Sequence, residues 1–245
     1  MNIHLSRKPK GMFCRVNWEA HKNDPTTTPM FRDLVSKSPH CAHSQFEFGI
    51  DEALSEISAY DEENSGSAHT LEPNGFVFHE SRCGSTLVAN SLAAFNPEKS
   101  RAYSESPPPI AALQACGDGF KTCSEDDAAE LFQKVITLMG RTDDPNETHL
   151  FFKIQSIGSK YINVMNIAYP DIPWIFVYRN PVEVMMSHLS VDVNRANCMR
   201  SSRDPPSDYK KMIKSKGISM RSLTPEEHCA VHLVSYLRIF FICLF

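Results

Sequence analysis

Two short stretches carry residue types and spacings that could handle a polyanion. The first is His79-Glu-Ser-Arg-Cys-Gly-Ser-Thr-Leu87, which follows the apolar run Gly75 to Phe78. A strand that ends in a tight, glycine-containing loop and opens a helix turns its free N–H groups toward one point. The helix dipole favours an anion there. Gly84 lets the backbone fold closely, and Arg82, Cys83, Gly84, Ser85, Thr86 and Leu87 form the expected cradle. The second stretch is Tyr178-Arg-Asn-Pro-Val-Glu-Val-Met-Met-Ser187. Arg179 ends a strand with a planar fork suited to phosphate. Pro181 opens the next helix and Ser187 falls about two turns in.

The first stretch is half of an ATP-type phosphate loop, GxxxxGK[ST]. Gly84 and Thr86 stand at the second Gly and the final Ser/Thr. His79 replaces the first Gly, and Ser85 replaces the lysine that grips the β- and γ-phosphates. Kinase or NTPase chemistry is disfavoured on that ground, and no metal is expected.

The elements that must hold these stretches alternate. Strands are expected at Gly75 to Phe78, His149 to Ile154 and Trp174 to Tyr178. Helices are expected at Leu87 to Phe95, from a Ser124/Asp127 capping box, at Gly158 to Ala168, and after Pro181 and Thr224. This alternation predicts an α/β fold with a parallel sheet and ligands at the carboxyl ends of its strands. Residues 71–245 form the expected domain. Residues 1–70 read as an N-terminal extension of loops, with one amphipathic helix at Asp51 to Tyr60. Asn194 to Leu223 reads as polar loop. The apolar end, Tyr236 to Phe245, reads as a core helix without its covering partners, which suggests a chain cut short at its C-terminus.

The chain has 245 residues, 42% hydrophobic and 22% charged, with net charge −4. The charge gives no reason to expect nucleic acid, and no run is long enough to span a membrane. Met1 to Trp18 is basic but lacks the apolar stretch of a secretory signal. The eight cysteines, at 14, 41, 83, 116, 123, 198, 229 and 243, show no zinc-type spacing. They read as reduced thiols of a cytoplasmic protein, with a secreted enzyme carrying a few disulfides as the alternative.

Together the two stretches resemble the donor site of sulfotransferases that use 3′-phosphoadenosine-5′-phosphosulfate (PAPS). The family's first motif, roughly Pro-Lys-Ser-Gly-Thr-Thr-Trp, aligns with Ser81-Arg-Cys-Gly-Ser-Thr-Leu87, with Arg82 at the lysine position. Its second, roughly Tyr-x-x-Arg-Asn-Pro-x-Asp-x-x-x-Ser, aligns with Arg179-Asn-Pro181, Glu183 and Ser187. The resemblance covers Gly75 to Leu189. It implies a P-loop-type three-layer fold in which residues 82–87 hold the 5′-phosphosulfate while Arg179 and Ser187 hold the 3′-phosphate. It also implies transfer of a sulfuryl group to a hydroxyl or amine of a carbohydrate, a small metabolite or a protein side chain. Lys153 matches the Lys of the family's Lys-x-His, but Gln155 stands where the histidine would. Other members use a Glu after the first helix, which points to Glu105 as the base, with His79 second and Glu80 and His188 behind. The family's C-terminal Arg-Lys-Gly segment has no counterpart before Phe245. That absence and Gln155 leave a catalytically inactive nucleotide-binding module as the alternative.

Overall fold

Short runs of Phe, Val and Ile bounded by loop residues pair into a sheet, because each buries side chains on both faces. In the computed structural model, which describes residues 8–43, 45–116, 123–190, 196–203 and 205–243, the chain begins with β1 (Lys10–Phe13) and three short helices. These are α1 (Glu19–Asn23), α2 (Phe31–Ser36) and α3 (Pro39–His43). β2 (Phe46–Gly49) returns antiparallel to β1, and α4 (Ile50–Glu63) follows. A second small antiparallel pair joins β3 (His69–Thr70) to a later strand, β6.

The main sheet then forms from β4 (Pro73–His79), α5 (Ser85–Phe95), β5 (Ser100–Ser104), α6 (Pro107–Leu113), α7 (Glu125–Met139), β6 (Arg141–Thr142), β7 (His149–Lys153), α8 (Ile162–Ala168) and β8 (Trp174–Val177). Its order is β5-β7-β4-β8, all parallel. In the main core cluster Phe76 and Phe78 of β4 and Phe152 of β7 meet Phe132 and Ile136 of α7 and Met165 of α8, and a smaller cluster forms around Ala196, Cys198 and Cys229. Tyr103 stacks on Phe152 at 5.1 Å. Burying each such aromatic contributes about 1.5–3 kcal/mol. The chain ends with α9 (Pro181–Leu189), α10 (Asn197–Arg203), α11 (Ser207–Ser215) and α12 (Pro225–Cys243).

An α/β fold with a parallel sheet is therefore present. The Ser124/Asp127 capping box forms, and so does its counterpart at Thr224 and Glu227. Three expectations are corrected. The stretch read as loop up to Leu223 contains α10 and α11 in its described part, while Asn194 itself lies outside the described residues. The first seventy residues are not mainly loop. Leu34, Cys41 and Ile50 are buried there, and Trp18 and Phe31 pack against the core. Nor are the cysteines all reduced: Cys14–Cys41, Cys116–Cys123 and Cys198–Cys229 are disulfides, and Cys83 is a free buried thiol. The side chains from 237 onward lie outside the described residues, so the expectation for the apolar end has no structural counterpart here. Among the described residues no helix is long and apolar enough to cross a membrane.

Candidate anion-transfer site

β4 lies between β7 and β8 because the chain passes from β4 to the β5 edge, returns to place β7 between β5 and β4, then crosses to the other side of β4 for β8. Ligands of open α/β sheets sit at such a reversal, outside the carboxyl ends of the strands. Here the loop after β4 and the loop after β8 open side by side. Their contact is direct: Arg82 Nε donates to Ser187 Oγ at 2.9 Å, across 105 residues of sequence. The backbones are also tied, because Glu80 Oε1 accepts the Arg179 N–H at 2.7 Å. Glu80 is fully buried, and burial pushes its carboxyl up against the opposing effects of that hydrogen bond and of His79.

Gly84 caps α5 with φ +92, a conformation only glycine adopts without strain. No side chain caps the helix, so the N–H groups of Ser85 and Thr86 lack an intrahelical partner and can receive an anion. Leu87 does not belong with them: its N–H already donates to the Gly84 carbonyl at 2.9 Å, and its side chain is exposed. Cys83 turns inward, where its thiol donates to the Glu80 carbonyl at 2.9 Å.

A cavity of about 410 Å³ opens over this loop, lined by His79, Arg82, Gly84, Ser85, Thr86, Glu105 and Ser187. At its wall Glu105 accepts a hydrogen bond from Lys153, whose Nζ also lies 3.4 Å from Thr86 Oγ1. His79 Nε2 stands 3.4 Å from the same carboxylate oxygen, close enough for charge but outside good hydrogen-bond geometry. The other ring nitrogen of His79 donates to the Glu80 carbonyl at 2.7 Å. Burial pushes the Glu105 carboxyl up, but His79 and Lys153 more than offset this and hold its pKa at about 2. Burial pushes the His79 imidazole down, but contacts with Cys83 and Glu105 outweigh it and the Lys153 charge, leaving the ring above its ordinary 6.5. A fixed carboxylate thus sits between the Lys153 ammonium and the His79 ring at the edge of an anion cradle.

Two non-glycine residues have positive φ among the described residues, and both are in this site: Arg82 at 65° and Glu105 at 56°. Each costs about 1–3 kcal/mol. Gln155 holds the second in place by donating to the Glu105 carbonyl at 3.1 Å, so the residue at the expected histidine position supports the Glu105 backbone.

Arg179, like Cys83 and Leu87, is placed elsewhere. The Arg179 guanidinium is turned onto Glu183 at 2.6 Å and does not line the cavity. His188 is buried, and burial together with Arg82 lowers its pKa. The cavity also takes Met30, Arg32, Ser156 and Asn197 from segments that sequence patterns did not single out. Nothing in their local sequence marks them, since only the tertiary fold brings them here.

The chain matches no family model, no curated protein and no solved structure.

Proposed function

We propose that this chain is a sulfuryl transferase of P-loop type that uses PAPS as donor and carries the group to an acceptor hydroxyl or amine. The observation that carries the reading is the Arg82–Ser187 hydrogen bond, which joins two strand–helix junctions over one open anion cradle. A single phosphate loop suits many nucleotides. A second junction locked to it, with an Arg and a Ser facing each other, suits a donor with anionic groups at two separate points.

The residues present fit such a donor. The unpaired N–H groups of Ser85 and Thr86 and the positive-φ turn at Gly84 suit the 5′ end, together with Arg82. Ser187 suits the 3′-phosphate, and Arg179 joins it only by giving up Glu183. The donor supplies the sulfuryl group, and its bridging phosphate oxygen takes the departing electron pair as the new bond to the acceptor forms. Glu105 is ionised at neutral pH and accepts the acceptor's proton. Lys153 lies between Glu105 and Thr86 of the cradle. Drawn toward a bound anion, it loosens its hold on Glu105 and raises the basicity of the carboxylate when it is needed. Arg82 and the loop N–H groups stabilise charge on the leaving phosphate. Ser85 in place of a lysine argues against ATP or GTP.

Calorimetric titration with 3′,5′-ADP and with ATP tests this. The expected result is selective binding of 3′,5′-ADP that Arg82→Ala weakens by roughly 1.5–3 kcal/mol, the value of a charged hydrogen bond. Equal affinity for ATP, or indifference to Arg82→Ala in a folded chain, would sink the reading.

A further inference from the structure

The cavity has a wall that the donor does not explain. α2 starts against the end of β5: Met30 Sδ approaches Ser104 Oγ at 3.6 Å, and the Phe31 ring lies 5.6 Å from that of Tyr103. β5 is the strand farthest from β8 in the sheet order. Along the carboxyl ends of the strands the cavity therefore runs from Arg32 beside β5, past Glu105, to the β4 cradle and finally to Ser187. Arg32 and Glu105 thus come from the β5 side of the sheet, and Arg82 and Ser187 from the β4 and β8 side.

Arg32 is a poor candidate for a structural role. Its side chain is 82% exposed, and its nearest ion contact is a 3.8 Å approach to Asp33. The other Asp33 oxygen is engaged by the Met30 N–H at 3.2 Å, where it closes the start of α2. The charges near the cradle divide simply. Lys153 and Arg82 meet the donor, Glu105 is fixed as an anion, and Arg32 is left facing whatever enters beside Glu105. An anionic group next to Glu105 would be repelled, whereas one placed a few ångströms further out, against Arg32, would be held. That arrangement would also turn the reacting hydroxyl or amine toward the base.

We infer that the N-terminal segment forms the acceptor side of the site and that Arg32 selects an acceptor carrying an anionic group, such as a carboxylate, phosphate or sulfate ester, close to the group that is modified. This inference rests on the donor reading above. It assigns residues 8–43 a share in specificity as well as in packing.

The test uses two matched pairs of probes: 4-hydroxyphenylacetate with its amide, and methyl glucuronoside with methyl glucoside. Each is titrated by ligand-observed NMR into the full chain saturated with 3′,5′-ADP, for wild type, Arg32→Ala and Arg32→Lys. Wild type should bind the anionic member of at least one pair several-fold more tightly. Arg32→Ala should erase that preference, by about two- to fivefold for an exposed ion pair, and Arg32→Lys should keep part of it. The affinity for 3′,5′-ADP should not change. No preference in either pair, or a preference that survives Arg32→Ala, overturns the inference while leaving the donor reading intact. If Arg32→Ala weakens 3′,5′-ADP instead, Arg32 belongs to the donor site and the inference is again overturned. Failure of wild type to bind 3′,5′-ADP removes the donor reading and this inference with it.

Discussion

Glu147 and Glu105 are both carboxylates held by two basic side chains, and they sit at opposite ends of the same sheet. Glu147 lies before β7 and is 1% exposed. It accepts hydrogen bonds from Arg101 and from Thr142 Oγ1 at 2.5 Å, and it pairs with Lys22 at 2.8 Å. Arg101 in turn covers the Trp18 ring at 4.9 Å and donates to the Arg141 carbonyl at 2.8 Å. This cluster ties α1 to the sheet. Glu105 lies after β5, is 28% exposed, and has Lys153 and His79 as partners. It adds a positive φ and faces the cavity. The difference separates two uses of a buried charge. Around Glu147 both carboxylate oxygens are satisfied, and although the cluster lines a cavity of about 740 Å³ its partners seal the carboxylate to 1% exposure, which fixes one structure. Around Glu105 the partners are divided between the carboxylate and an anion cradle, so a ligand can reapportion them.

The largest effects should separate the two clusters cleanly. Glu105→Gln should lower sulfuryl transfer by about 10²–10⁴-fold, the usual worth of a positioned base. It also leaves Lys153 buried without its counter-charge, so the variant should lose stability, and 3′,5′-ADP should restore part of it. Glu147→Ala strips the counter-charge from buried Arg101 and leaves Lys22 with Asp144 alone, and should cost about 3–5 kcal/mol in denaturant unfolding. No nucleotide should rescue it. If 3′,5′-ADP restores both variants equally, the two carboxylates do not differ in the way argued here.

How much of this was visible in the sequence follows from how local each feature is. The β4 loop, the helix opened by Pro181 and the Ser124 and Thr224 caps depend on neighbouring residues, and their patterns were legible. Glu105 and Lys153 were legible as candidates only through the resemblance to sulfotransferase motifs, and their mutual contact depends on β5 pairing with β7. β5 itself, Ser-Arg-Ala-Tyr-Ser, has too few apolar residues to announce a strand, yet all five are buried. Nothing in the local sequence marks Glu147, Lys22 and Arg101 as a buried charge cluster. Residues 22 and 147 meet only because the N-terminal segment folds back onto the start of the sheet. The turn of Arg179 onto Glu183 was equally hidden, since an i,i+4 pair and a phosphate ligand are written with the same residues.

Acid should act on the Glu105 cluster through its own shifts. With its pKa depressed from 4.5 to about 2, Glu105 contributes stability that is fully present above 4.5 and is lost as pH falls through about 2. The size is roughly 3 kcal/mol at most. His79, raised above 6.5, contributes stability that is fully present below 6.5 and is lost as pH rises through its folded value. Both contributions are therefore present between about pH 4.5 and 6.5. Unfolding free energies measured across this range should fall on both sides for wild type. In Glu105→Gln the acid-side loss should be reduced. An acid limb identical in the two proteins would mean that Glu105 does not hold its charge as described.

Ser187→Ala is the mildest probe, and it isolates the joint between the two junctions. Ser187 is half-buried on α9 and its hydroxyl accepts from Arg82, so its loss removes one hydrogen bond without opening the core. Unfolding should change by less than about 0.5 kcal/mol, as for most surface substitutions. The affinity for 3′,5′-ADP should still fall by about 0.5–1.5 kcal/mol, because Arg82 loses the partner that holds it over the cradle. The Glu147 cluster gives the control: Arg15→Ala, which breaks the exposed 2.9 Å pair with Asp143 beside it, should move neither quantity. An equal loss of nucleotide affinity in both variants would mean that the two ends of the sheet are coupled, and that the division between a sealed carboxylate and a shared one is too simple.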